Sequence, residues 1–114
     1  MNVCSLKQKL KYPEFKDFIN RYDIIGLCET KLTDFDVVEV DNFKIVCNNR
    51  KQKCIRESGG ISFLIKTELL NIVKVLPNKS EFVQCIQIVN NKPNVDDVYI
   101  IMTYLPPEGS KFAN

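Results

Sequence analysis

The sequence predicts an α+β protein, mainly one mixed or antiparallel sheet with a single helix on its outside. Three observations predict it: short apolar runs separated by turn residues, one stretch with helical periodicity, and a hairpin signal near the end of the chain. Inner strands with apolar residues on both faces imply a second layer over the sheet. With 114 residues, the chain is long enough for one domain and too short for two.

The first elements are a strand end, a loop and the helix. Met1–Leu6 is short and partly apolar, and we expect it to be the last residues of a strand whose beginning is missing. Lys7–Lys11 is basic and polar, which predicts a loop. The helix is predicted over Pro13–Arg21, because proline suits the first turn of a helix, where its missing N–H is not needed. Apolar side chains then recur at helical spacing: Phe15, Phe18, Ile19 and Tyr22.

A short apolar run follows the helix and ends at a carboxylate. Asp23–Cys28 is typical of a strand buried on both faces, and we expect it to be a central strand. Glu29 comes where the burial should stop. A carboxylate at the end of a buried strand often lies at the mouth of a sheet, where ligands bind. Taken alone, Glu29 is better explained as the first solvated residue after the strand.

The rest of the chain reads as further strands. Gly59-Gly60 indicates a tight backbone approach or a bulge where a strand begins. A turn-rich segment between the last two runs predicts a hairpin, and prolines after Tyr104 end the pairing. The predicted strands are Phe43–Cys47, Ile61–Ile65, one within Leu69–Leu76 after a short turn, Phe82–Val89 and Val98–Tyr104.

Two loops carry most of the local charge. Thr33–Asn42 is acidic, and a solvated loop or a short turn explains this segment without any need for paired carboxylates. Asn48–Ser58 is basic and could hold phosphates, with a solvated hairpin tip as an equally good interpretation. Its candidate phosphate-contacting residues are Arg50, Lys51, Lys53 and Arg56.

Composition excludes several kinds of chemistry. The chain contains no histidine, so it cannot by itself carry out Ser-His, Cys-His or His-metal chemistry. Its 5 cysteines lack the spacing of a zinc site and are typical of apolar residues in a reducing compartment. A net charge of +2 is too small to predict nucleic-acid binding without local clustering. The sequence also lacks the apolar segment of a signal peptide or a membrane span.

Four motifs resemble one known family when they are taken together and in order. They are N-V-C-S-L at Asn2–Leu6, Y-D-I-I-G-L-C-E-T-K-L at Tyr22–Leu32, G-G-I-S-F-L-I-K at Gly59–Lys66 and Y-L-P-P-E-G-S at Tyr104–Ser110. The chain resembles the endonuclease/exonuclease/phosphatase family, and most closely the apurinic-type endonuclease domain of non-LTR retrotransposons. No single motif is specific, whereas the ordered set is.

The resemblance implies a fold, a metal and a set of site residues. The family has a four-layer α/β/β/α sandwich and cleaves phosphate esters with Mg²⁺ or Mn²⁺. The resemblance to retroelement nucleases implies DNA as the partner and the nucleus as the location. Asn2 and Glu29 match the residues at the metal, and Tyr104 matches the tyrosine that contacts the scissile phosphate. Oxygen ligands of this kind suit a hard divalent cation. The basic residues of Asn48–Ser58 do not match catalytic positions of the family.

The departures from the family pattern concern its second half. The Asp-x-Asn motif, a further metal-site aspartate and the terminal Asp-His pair would lie beyond Asn114. The chain therefore resembles the N-terminal half of such a domain and is expected to have little activity alone. Two alternatives remain: a non-catalytic retroelement remnant that binds nucleic acid or a partner, and a phosphomonoesterase of the same fold. An exposed sheet face is expected to bind the missing half or a second copy.

Overall fold

The computed structural model describes residues 1–33, 35–48, 59–77 and 80–104, and it shows an α+β protein with few helices. The helices are α1 (Leu6–Lys9) and α2 (Pro13–Ile19), with a single 3₁₀ turn at Thr67–Leu69. The strands are β1 (Ile24–Cys28), β2 (Phe43–Asn48), β3 (Ile61–Lys66), β4 (Val73–Val75), β5 (Val83–Ile88) and β6 (Val98–Thr103). Within the described ranges, no helix is long and apolar enough to cross a membrane.

The strands form two antiparallel sheets, whereas the sequence predicted mainly one. The N-terminal sheet has the order β1-β3-β2, and the C-terminal sheet has the order β4-β5-β6. The 3₁₀ turn after β3 separates the two sheets along the chain. An apolar run has the same sequence pattern whether its neighbours lie beside it in one sheet or across an interface between two, so the pattern could not make this distinction.

The central strand of the N-terminal sheet is β3 and not the predicted Asp23–Cys28. β1 lies at one side of the sheet, paired from Ile24 opposite Ile65 to Cys28 opposite Ile61. Its apolar character arises because both of its faces are covered, which happens to edge strands as well as to central ones in a layered protein. β3 is buried from Ile61 through Ile65.

One core lies between the helices and the N-terminal sheet. Leu6 of α1 and Ile19 of α2 have no exposed surface and pack on the sheet. Burying such side chains stabilises the fold by ~1.5–3 kcal/mol each. The buried members of this core are Val3, Leu6, Ile19, Ile25, Leu27, Leu32, Phe43 and Leu64.

A second core lies between the two sheets. Phe63 and Ile65 of β3 meet Ile86 of β5, and all three are buried. Alternate residues of β1 and β3 therefore face different cores, since neighbouring side chains of a strand point to opposite faces. The described residues form a helix layer, the N-terminal sheet and the C-terminal sheet, in that order.

The helices differ from the prediction in two respects, an additional short helix and an earlier end of the predicted one. Residues 7 to 9, predicted as part of a loop, belong to α1, which the periodicity missed because a four-residue helix buries only Leu6. α2 begins at Pro13 as predicted and ends at Ile19, two residues before the predicted end. The side chain of Asn20 donates a hydrogen bond to the carbonyl of Lys16 at 2.8 Å, which satisfies one carbonyl of the last turn.

Candidate functional site

The site is built around the turn that follows β1. Glu29 and Lys31 have the left-handed backbone conformation, with φ of 54° and 57°. Residues other than glycine adopt this conformation at a cost of roughly 1–3 kcal/mol, and they keep it only where neighbouring structure holds them. The hydrogen bonds that neighbouring segments make to this turn therefore determine the position of Glu29.

The N-terminal segment holds the turn from one side. The backbone N–H of Ser5 donates to the carbonyl of Glu29 at 2.8 Å, and that of Leu6 donates to the carbonyl of Thr30 at 3.0 Å. Ser5 itself has a φ of 92°. Leu6 is anchored in the helix-side core, so these bonds connect the turn to the rigid part of the molecule.

Two glycines hold the turn from the other side. The N–H of Thr30 donates to the carbonyl of Gly60 at 3.3 Å, and that of Lys31 donates to the carbonyl of Gly59 at 2.9 Å. A Cβ on Gly60 would lie 2.6 Å from Oγ1 of Thr30, and the φ of Gly60 is 91°. The tight backbone approach predicted from the glycine pair is thus present, and its partner is the Glu29 turn.

Glu29 and Tyr104 meet across the two sheets. The hydroxyl of Tyr104 donates a hydrogen bond to Oε1 of Glu29 at 2.7 Å. Glu29 directly follows β1, and Tyr104 directly follows β6. The N–H of Tyr104 also donates to the carbonyl of Phe82 at 2.9 Å, which continues the β5–β6 pairing up to the site. Both side chains are partly exposed, so the pair can be reached by a ligand.

Asn2 lies beside the end of β1. It forms an isolated parallel bridge with Cys28, and the N–H of Val3 donates to the carbonyl of Cys28 at 3.0 Å. The Oδ1 of Asn2 accepts a hydrogen bond from the N–H of Cys4 at 3.1 Å, which orients the exposed amide. The structure therefore places Asn2 next to the residue that precedes Glu29.

Burial changes the chemistry of the thiol at this position. The pKa of Cys28 is raised, mainly because burial disfavours the thiolate, with the neighbouring Glu29 carboxylate adding to the effect and the N-terminal amine opposing it. Cys28 therefore stays a neutral thiol and acts as an apolar side chain beside the site.

The described carboxylate of the acidic segment Thr33–Asn42 that makes side-chain contacts, Asp36, makes them within the protein. Oδ2 of Asp36 accepts hydrogen bonds from the N–H of Thr33 at 2.7 Å and from its hydroxyl at 3.2 Å. Oδ1 of Asp36 pairs with the Lys7 ammonium at 3.1 Å. The backbone hydrogen bond from Thr33, and then Lys7, hold the pKa of Asp36 below its usual value. This carboxylate closes a turn and connects the turn to α1. Its contacts are therefore explained by the local structure of the loop, without a ligand.

The donor set at Glu29 fits a hard divalent cation in kind. A carboxylate accepts more than one hydrogen bond or metal bond, so the bond from Tyr104 leaves Glu29 able to ligate. The amide oxygen of Asn2, which lies beside Cys28, is also a hard oxygen donor. Among the residues that the structure describes, no group of three or more Cys, Asp or Glu side chains is placed to hold a metal ion. Metal binding at Glu29 and Asn2 therefore stays a prediction.

One buried residue of the site was missed in the sequence, and one group of predicted residues lies outside the described ranges. Thr30, which lies within the Tyr22–Leu32 motif but was assigned no role, is fully buried, and its Oγ1 has no hydrogen-bond partner within the described ranges. The glycine pair was its only indirect signal. Arg50, Lys51, Lys53 and Arg56 lie outside the described residues, and their contact with phosphate stays a prediction.

Comparison with known proteins adds nothing to this geometry. No protein-family model matches the chain. No curated protein matches it either.

Proposed function

We propose that this chain is part of a divalent-metal-dependent endonuclease that hydrolyses DNA phosphodiester bonds. The observation that supports the proposal is the hydrogen bond from Tyr104 to Glu29, which joins residues 75 positions apart. The two residues come from different sheets, and the motif resemblance had independently singled out both. Both side chains lie at the ends of strands and are partly exposed, so they are accessible to a phosphate and its cation.

Each residue has a separate task in this proposal. Glu29 holds Mg²⁺ or Mn²⁺ through its carboxylate, and Asn2 contributes its amide oxygen. Tyr104 orients the carboxylate in the free protein and donates a hydrogen bond from its hydroxyl to an oxygen of the scissile phosphate when DNA is bound. The cation, when bound, neutralises charge that develops on the phosphate. The basic residues of Asn48–Ser58 contact the DNA backbone and carry no catalytic role.

The chemistry requires groups that these 114 residues do not supply. The chain has no histidine, and the resemblance assigns no residue of this chain to activate the attacking water or to protonate the leaving oxygen. Each general acid–base role is worth roughly 10²–10⁴ in rate. We propose that a C-terminal half-domain supplies them and completes a four-layer sandwich by covering the C-terminal sheet. Little nuclease activity is expected from residues 1–114 alone.

The proposed setting is a reducing intracellular compartment, with the nucleus as the place where a retroelement nuclease meets DNA. The scattered cysteines of the sequence, which have no zinc-site spacing, are the feature that supports such a compartment.

Metal binding can be tested on the chain by NMR, without any activity. Mn²⁺ broadens the amide signals of nearby residues because it is paramagnetic. We expect selective broadening at Asn2, Glu29 and Tyr104 when substoichiometric Mn²⁺ is added. Excess Mg²⁺ should reverse the broadening by competition.

The matched variants are Glu29→Gln, which removes the charge at the site, and Glu39→Gln, which removes an exposed carboxylate elsewhere. Broadening at the site should disappear in the first and persist in the second. Broadening that follows Glu39 or the acidic segment, or that survives Glu29→Gln, would show that the metal site has been assigned to the wrong residues.

A further inference from the structure

The strand β6 is an edge strand without the usual protection against pairing. It lies at one side of the C-terminal sheet and has the sequence V-Y-I-I-M-T, with no charged residue and no proline. Its side chains are exposed to an unusual degree for such residues, with 58% for Tyr99 and 63% for Ile101. Proteins commonly protect edges with lysine, proline or very short strands.

The other edges of the two sheets are protected. β2 carries Lys44, and β4 is three residues long and carries Lys74. The end of β1 is covered by the N-terminal segment through the bridge between Asn2 and Cys28. Only β6, among the edges within the described ranges, combines full length with the absence of charge.

The free backbone groups of β6 can be assigned. The N–H of Tyr104 donates to the carbonyl of Phe82 on the β5 side. In an antiparallel pair, alternate residues direct both backbone groups towards the neighbouring strand, so Met102 and Ile100 also face β5. The N–H and C=O groups of Tyr99, Ile101 and Thr103 therefore point away from it. No strand pairs with them among the residues that the structure describes.

The same residues carry their side chains on the outer face of the sheet. Ile100 and Met102 pack in the core between the sheets, so Tyr99 and Ile101 lie on the opposite face. On that face, Ile101 is opposite Cys85 and Tyr99 is opposite Gln87. The exposed apolar side chains of this face are therefore those of β6 itself, at the open edge, where another strand would extend the surface.

We propose that β6 pairs with the β6 strand of a second copy of this chain, antiparallel and about a two-fold axis at Ile101. This register places Tyr99 opposite Thr103 of the second copy, so the outward backbone groups exchange hydrogen bonds. It also keeps Tyr99 and Ile101 of both copies on the same face of the extended sheet. A register shifted by one residue would place these side chains of the two copies on opposite faces. The strand is uncharged, so two copies meet without repulsion, and a two-fold axis closes the assembly as a dimer.

Sedimentation equilibrium over a range of concentrations tests the pairing. The unaltered chain should show a monomer–dimer equilibrium, and Ile101→Lys should raise the dissociation constant by roughly tenfold or more, since two like charges would meet at the axis. Val37→Lys is the matched control, because Val37 is 89% exposed and lies on a distant loop, and it should leave the constant unchanged.

A proline scan separates edge pairing from folding. Ile101→Pro removes only an outward N–H, which edge strands tolerate, so the variant should remain folded by circular dichroism and become monomeric. Met102→Pro removes an N–H that bonds β5 and should destabilise the sheet. Equal dimerisation of the unaltered chain and Ile101→Pro would contradict the proposal.

Cysteine cross-linking tests the register. Ile101→Cys, made together with Cys85→Ser to remove the thiol opposite residue 101, would bring two thiols together at the axis, where residues of a hydrogen-bonded pair have Cα atoms ~5.5 Å apart, within the range for a disulfide. This variant should form a covalent dimer on mild oxidation well above the background of the unaltered chain. Tyr99→Cys, which faces Thr103, should not.

A different occupant of the edge would give a different result. A chain that remains monomeric at every concentration, with the amides of Tyr99, Ile101 and Thr103 protected from hydrogen exchange, would mean that another part of the same chain covers β6. That outcome would overturn the dimer and leave the metal-binding test of Glu29 unaffected.

Discussion

Single residues at the β1 turn determine where Glu29 lies. Glu29 has a strained left-handed conformation, and the bonds from Ser5 and Leu6 and to Gly60 hold it there. Strain of this kind concentrates where a side chain must be presented in one direction. The Tyr104 hydroxyl then fixes the carboxylate itself. The geometry of the site therefore depends on residues that cannot act chemically, glycine above all.

Gly60→Ala should destabilise the protein by ~1–3 kcal/mol. The substitution forces a side chain into a positive φ and pushes a Cβ against Thr30. Thr30→Val is the matched comparison at the other side of the contact. It replaces a buried hydroxyl that has no partner among the described residues, so it should be neutral or slightly stabilising. Urea unfolding measures both, and a neutral Gly60→Ala would show that the approach is loose.

At the scale of elements, the contacts between segments are made by polar groups as well as by the cores. Asn48 at the end of β2 donates to the carbonyls of Ser80 and Val83, each at 2.8 Å, and so connects the two sheets. Asp36 connects the acidic segment to α1 through Lys7. Such bonds position loops relative to the sheets, and their strength can depend on ionisation.

The Asp36 contact should make stability depend on pH in the acid range. The pKa of Asp36 is lower in the folded protein than its ordinary value near 3.8. Its contribution is therefore fully present above the ordinary value and is lost as pH falls through the lowered value. Asp36→Asn should be less stable than the unaltered chain at pH 7, and the difference should shrink at strongly acidic pH.

Urea unfolding of both proteins over a pH series measures this difference. Glu39→Gln controls for the general loss of one negative charge. A difference between Asp36→Asn and the unaltered chain that is constant from neutral to strongly acidic pH would contradict a role for the ionised carboxylate.

The whole molecule is a layered structure with one sheet face left open. Helices cover one face of the N-terminal sheet, and the C-terminal sheet covers the other. The outer face of the C-terminal sheet carries Tyr99 and Ile101, both well exposed. Exposed apolar surface of this kind marks an interface when it is continuous. A complementing half-domain would cover this face, whereas the β6 dimer would extend the sheet at its edge and leave the face open.

Nicking of supercoiled DNA tests the proposed function at this scale. Residues 1–114 with Mg²⁺ should not nick above background, and co-expression with the C-terminal half of a related nuclease domain should restore nicking. Glu29→Gln should abolish the restored activity, Tyr104→Phe should lower it, and Glu39→Gln should leave it unchanged. Robust nicking by the chain alone that survives Glu29→Gln would contradict the site assignment.

The sequence by itself determined the α+β class and most strand positions. Apolar runs are local: Ile61–Ile65 lies inside β3, and Phe82–Val89 and Val98–Tyr104 form the expected hairpin with ends that differ by one residue. It also indicated the close backbone approach at Gly59-Gly60, because residues without a Cβ allow another segment of backbone to lie close to the start of a strand. Proline marked the beginning of α2 for an equally local reason.

Only the tertiary structure decided which strands share a sheet and what each site residue touches. Strand pairing depends on neighbours far along the chain, so the division into two sheets and the central place of β3 could not be read from apolar runs. The same holds for the meeting of Glu29 with Tyr104, and for Thr30, whose burial has no periodic signal. A local pattern records how a residue is buried, whereas the partner that buries it is determined by the packing of the whole chain.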